Sequence, residues 1–121
     1  MVMIDGSRGE GGGQILRTSL TLSMVTGKPL HIFNIRAKRS KPGLRHQHLQ
    51  AVKASATISS AQVKGAELHS QDVRFRPRKI SSGNYQFKIP TAGATGLVLQ
   101  TIFFPLSSAE KHSQVTISGG T

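Results

Sequence analysis

Hydrophobic and polar positions change rhythm several times along the chain, and each rhythm predicts an element. Met1 to Ile4 is a short apolar run closed by Asp5-Gly6, which reads as a strand. Ile15, Leu16, Leu20, Met24 and Val25 then recur at helical spacing, with Gln14, Arg17 and Thr21 on another face. Gly27 and Pro29 stop that helix, because glycine accepts the left-handed conformation and proline cannot continue a helix. Leu30 to Ile35 is apolar on both faces apart from His31 and Asn34, as a strand in a helix-covered sheet would be. A second helix is expected from about Arg45 to Ser59, with Leu49, Val52, Ala56 and Ile58 as its buried stripe.

Two alternating segments follow. In VRFRP, Val73 and Phe75 oppose Arg74 and Arg76; in YQFKI, Tyr85, Phe87 and Ile89 oppose Gln86 and Lys88. Ser81-Ser82-Gly83-Asn84 supplies turn residues between them, so the pattern predicts an antiparallel hairpin with one wet face. The resulting fold class is α/β: a βαβαββ unit, two helices packed on one face of a four-stranded mixed sheet.

The rhythm then restarts. TAGATG, residues 91–96, is a second small-residue loop. LVLQTIFFPL, residues 97–106, predicts a helix that Pro105 ends or kinks, and QVTIS, residues 114–118, a strand. The first unit is therefore expected at 1–90 and the start of a second at 91–121. Glycines after a strand usually lead to another element, so the pattern reads as a fragment cut inside the second unit, the alternative being a natural C-terminal strand. The 97–106 helix is apolar almost all round, which predicts burial between units, or self-association through the incomplete second unit.

Composition narrows the partners. The 121 residues suffice for one compact domain, and 16 Lys and Arg against 5 Asp and Glu give a formal charge of +11. Such a surface attracts polyanions: nucleic acid, nucleotide phosphates or anionic lipid. The absence of Cys removes disulfide and thiolate chemistry. No apolar run approaches a membrane span, and the N-terminus lacks a signal-peptide pattern, so a cytoplasmic protein without a membrane is expected.

Two loops could carry chemistry. RGEGGGQILR, residues 8–17, feeds a helix N-terminus whose free backbone N–H groups favour an anion. It is neither a P-loop nor a dinucleotide fingerprint: no Lys-Ser or Lys-Thr follows, and Gln14 stands where the last glycine would. Glu10 inside it could cap the helix electrostatically, or hold a metal, a ribose hydroxyl or a nearby Arg. Arg36, Lys38, Arg39, Lys41 and Arg45 gather in the next strand-to-helix loop, where α/β proteins place ligands. They form either a solvated basic loop or a phosphate site, for which the Arg fork is suited. His46 and His48 point to different sides of a helix, a poor geometry for a shared metal, whereas His48 beside Gln47 could donate or accept a hydrogen bond. His31, His69 and His112 are isolated and read as structural or exposed.

IDGSRGEGGGQILRTSLTLS, NIRAKRSKPGLRHQHLQAVKA, GAELHSQDVRFRP, TAGATGLVLQTIFFPL and VTISGGT cover nearly the whole chain. In that order they resemble the N-terminal part of the RNA 3'-terminal phosphate cyclases. The resemblance implies repeated βαβαββ units and conversion of an RNA 3'-phosphate to a 2',3'-cyclic phosphate, with ATP and a divalent metal (Mg or Mn). It implies a histidine that attacks the ATP α-phosphate, passage of AMP to the RNA 3'-phosphate, and expulsion of AMP by the adjacent 2'-hydroxyl. Residue by residue, Glu10, Gln14 and Arg17 match the active-site stretch EGGGQILR, and Glu10 is a possible metal ligand. Arg36 and Arg39 match arginines assigned to RNA or nucleotide phosphates, and Gln47, His48 and Gln100 match positions on the ATP side. The family's nucleophilic histidine falls beyond Thr121, so this stretch alone is expected to be inactive. Two positions depart from the family pattern: Lys38 stands for glycine in R-A-G-R, and His69 for glycine in L-G-S. A non-catalytic RNA-binding module is the alternative, and a basic ribosome-associated protein a third reading, one that predicts steep salt dependence without preference for 3'-phosphate ends.

Overall fold

A computed structural model describes residues 1–8, 13–90, 94–109 and 111–119. Four strands form the main sheet: β1 (Val2–Asp5), β2 (Leu30–Phe33), β3 (Gln62–Lys64) and β4 (Val73–Arg76). Helices α1 (Gly13–Thr26) and α2 (His46–Ser59) connect the first three. The order across the sheet is β1-β2-β4-β3, with β1 parallel to β2 and both contacts of β4 antiparallel. This is the α/β class, a βαβαββ unit on a mixed four-stranded sheet.

The core is built on one sheet face. Leu30, Ile32, Val73 and Phe75 are all buried there, and they meet Leu16, Leu20 and Met24 of α1 and Leu49, Val52 and Ile58 of α2. Period two in the strands and 3.6 in the helices bring these side chains to a common layer. Gly27 closes α1 with φ +75°, its N–H donating to the Ser23 carbonyl at 2.8 Å. Of the expected stripes, Val25 is exposed, and Ile15 and Ala56 are only half-buried.

The expected VRFRP–YQFKI hairpin does not form. Strand β4 pairs with β2 and with β3, a three-residue strand whose lone apolar residue, Val63, gives no readable alternation. Pro77 supplies no N–H to extend the ladder beyond Arg76, and the chain leaves the sheet there. The following segment is tied to the end of α2, Arg78 N–H donating to the Ser59 carbonyl and Ser81 N–H to that of Ile58. Strand β5 (Asn84–Ile89) then pairs in parallel with β6 (Gln114–Gly119) in a separate two-stranded sheet. Two parallel strands need a crossover, and helix α3 (Ala94–Ser107) provides it. Strand β2 also ends earlier than Ile35, because Asn34 takes φ +53° and turns the chain.

Helix α3 starts before the expected Leu97 and continues two residues past Pro105. Proline cannot donate to the carbonyl four residues back, which leaves the Thr101 oxygen without its helical partner. The Thr21 hydroxyl of α1 donates to that oxygen at 2.8 Å, so the gap in one helix becomes a bond between two. Ala94, Val98, Ile102 and Leu106 join the common core, whereas Leu99, Phe103 and Phe104 remain exposed.

Candidate functional site

The C-terminal ends of β1 and β2 lead towards the N-termini of α1 and α2, and the arginines and His48 converge at this edge. The β2–α2 loop owes its shape to three left-handed residues: Asn34 at φ +53°, Arg36 at +50° and Gly43 at +82°. Turn bonds run from Ala37 N–H to the Asn34 carbonyl and from Arg39 N–H to that of Arg36. The Arg36 side chain folds back over its own loop, its Nη1 donating to the carbonyls of Lys41 at 2.7 Å and Gly43 at 2.9 Å. Its Nε is buried without a partner among the described residues. Gly43 tolerates no side chain, because a Cβ there would collide with the His69 carbonyl.

His48 lies in the first turn of α2 and is 4% exposed. The Arg45 backbone N–H donates to its Nδ1 at 3.0 Å. A backbone N–H can only donate, so Nδ1 is the acceptor and the neutral ring carries its proton on Nε2. Burial first, then the charges of Arg36, Arg17 and Arg45, push the imidazole down to about 4. At neutral pH His48 is therefore an uncharged hydrogen-bond donor, and neither nitrogen has a free lone pair for nucleophilic attack.

Gly13 is the hinge of the arrangement. A Cβ on it would stand 2.8 Å from His48 Nε2 and would clash with Arg17 Nη1. Only a residue without a side chain lets α1 begin this close to both groups. Arg17 is steadied by its neighbour, Nη2 donating to Gln14 Oε1 at 3.1 Å, while Gln14 Nε2 donates to the Thr18 hydroxyl at 2.9 Å. Burial lowers the pKa of Arg17, and burial with the repulsion of Arg39 and Arg45 lowers that of Arg36. The guanidiniums stay charged, so folding has gathered like charges that an anion would neutralise.

Of the expected site residues, the fold brings Arg17 and His48 together, with Gln14 beside Arg17. Arg36 acts on His48 electrostatically and Arg39 on Arg36. Gln47 is half-buried in the first turn of α2. Gln100 is exposed on α3 and shares no hydrogen bond with this cluster among the described residues. Glu10 lies outside the described residues. Among the described residues no three His, Asp or Glu side chains converge on a point that could hold a metal ion, and the possible ligand Glu10 lies outside them. Asp5 is engaged elsewhere, accepting bonds from the Ser7 hydroxyl and N–H that hold its carboxyl below the usual carboxylate range.

Fold and site together define an α/β protein with cations gathered at the helix N-termini that follow its parallel strands. The chain belongs to the RNA 3'-terminal phosphate cyclase family, whose model matches residues 8–121. It is 55% identical over 121 residues to an RNA 3'-terminal phosphate cyclase of Koribacter versatilis, covering all of this chain and 34% of that protein. It is 57% identical over 120 residues to the protein of the same name from Ralstonia nicotianae, covering 99% of this chain and 35% of the relative. The chain thus spans about a third of the length of these curated relatives. Among the described residues, no helix is long and apolar enough to cross a membrane.

Proposed function

We propose that the complete protein is an ATP-dependent RNA 3'-terminal phosphate cyclase and that residues 1–121 supply one wall of its phosphate site. The observation that carries this reading is the meeting of Arg17 and the His48 Nε2–H at Gly13, in front of a helix N-terminus. In the reaction, AMP is joined to the RNA 3'-phosphate, the 2'-hydroxyl attacks that phosphorus, and AMP departs as the cyclic diester closes. Charge builds on the phosphoryl oxygens at both steps. A fixed cation and a neutral N–H donor held out of bulk water stabilise such charge without reorganising. His48 cannot serve as the adenylylated nucleophile in its observed hydrogen-bonded form, so that role falls to another histidine of the complete protein.

The test is single-turnover chemistry on the complete protein with labelled ATP and a 3'-phosphorylated oligonucleotide. Arg17→Ala and His48→Gln each lower formation of the cyclic end by about 100-fold, the usual cost of removing one oxyanion donor. Wild-type rates in both variants overturn the assignment. RNA binding with no AMP adduct in the wild-type protein would instead support a non-catalytic RNA-binding module.

A further inference from the structure

The face of the main sheet turned away from the helices carries its own chemistry. In β3 and β4 the alternation that buries Val73 and Phe75 and half-buries Val63 turns Lys64, Arg74 and Arg76 outwards, and all three are exposed. The register sets them in rows. Lys64 lies directly opposite Arg74, and Arg74 directly opposite His31 of β2. Neighbouring strands are about 4.8 Å apart, so Lys64 and Arg74 are like charges in side-by-side positions, an arrangement that destabilises a sheet. Among the described residues, no carboxylate forms an ion pair with Lys64, Arg74 or Arg76. Asp72 Oδ2 shares a 2.9 Å hydrogen bond with His31 Nε2, and Asp5 is bonded to Ser7. Beside this basic row Phe33 is half-buried, its ring tilted 57° against His31.

We infer that this outer sheet face, centred on Lys64, Arg74 and Arg76, binds the phosphodiester backbone of the RNA body upstream of its 3' end. Cations in register suit a chain of evenly spaced phosphates, and a partly exposed ring beside them offers a surface for a base. Strand β2 links the two regions: Phe33 and His31 lie on this face, and Arg36 follows three residues after Phe33. Strands rise about 3.3 Å per residue, so an RNA leaving the edge of the sheet reaches the basic row within a few nucleotides. The proposal rests on the phosphate-site reading for the position of the RNA terminus, and on the sheet register for everything else.

The experiment measures binding of labelled RNAs to the complete protein across a salt series. The probes are about three and about twelve nucleotides long, each ending in a 3'-phosphate or a 3'-hydroxyl. The variant Lys64→Gln/Arg74→Gln/Arg76→Gln is compared with wild type and with Lys64→Arg/Arg74→Lys/Arg76→Lys. Expected is a loss of at least about tenfold in affinity for the long RNAs at low salt in the Gln variant. The slope of log affinity against log salt becomes shallower by about 2, from three contacts at about 0.7 each. Short-RNA binding stays unchanged, and the charge-preserving variant behaves as wild type. Unchanged long-RNA affinity and slope in the Gln variant overturn the proposal, as does equal loss in the charge-preserving variant. Equal binding of 3'-phosphate and 3'-hydroxyl ends by wild type counts against the phosphate-site reading instead, and leaves the length-dependent loss to decide the sheet face.

Discussion

The first six elements and the last three use the same alternation of strand and helix, yet they are covered differently. In β1 to β4, two helices close over four strands and Phe75 is 1% exposed. In β5–α3–β6, one helix serves two strands, and Phe103 is 62% exposed and Phe104 59%. The two regions share one core layer through Val98 and Ile102, but most of the large fully buried side chains belong to the first. Pattern makes an element; the number of elements sharing a layer decides what it covers.

Truncating one aromatic ring in each region separates the two most strongly. Phe75→Ala should cost about 3–5 kcal/mol of unfolding free energy, and Phe103→Ala no more than about 0.5 kcal/mol. Denaturant titration of the two variants measures both, and equal losses would refute the contrast. The stitch between the regions is smaller. Thr21→Val removes the donor to the Thr101 carbonyl that Pro105 leaves free, and should lower stability by about 1 kcal/mol. The matched Pro105→Ala background restores a helical donor and should shrink that loss in a double-mutant cycle. The smallest effect lies within the first region. His69 holds φ +70°, where a side chain is strained. His69→Gly should raise stability by about 0.5–1 kcal/mol, a shift in thermal midpoint that calorimetry resolves.

That last position shows how much of the molecule the sequence discloses. The resemblance expects glycine in place of His69, and the left-handed backbone there is a physical reason for one. Helices α1 and α2 and the Gly27 stop were legible because long periodic stripes and a glycine–proline pair point to one conformation. Strand β3 was not, because three residues with a single apolar position carry no period. The pairing of β4 with β2 and β3 is not legible, because alternation marks a strand's faces and says nothing of its neighbour. At the site, Arg17, Arg36 and His48 were visible as residue types in glycine-rich and basic loops. Their distances were not, since contact between Gly13 and His48 depends on how two helices pack. The tautomer of His48 and the folding of Arg36 onto its own loop also come only from backbone geometry.

In the proposed function Arg17 and His48 face a phosphate. Folding depresses the imidazole to about 4 from an ordinary 6.5, so its neutral form stabilises the protein above pH 6.5 and that contribution is lost as pH falls towards 4. A phosphate at Nε2 adds negative charge beside the ring and opposes the depression. The direct measurement is NMR titration of histidine-labelled complete protein, with and without a short 3'-phosphorylated oligonucleotide. The account predicts a His48 midpoint near 4 that rises on addition of the RNA, with its Nε2–H signal shifted, and no such rise with the 3'-hydroxyl oligonucleotide. A His48 midpoint and Nε2–H signal that ignore a saturating 3'-phosphate end would contradict it.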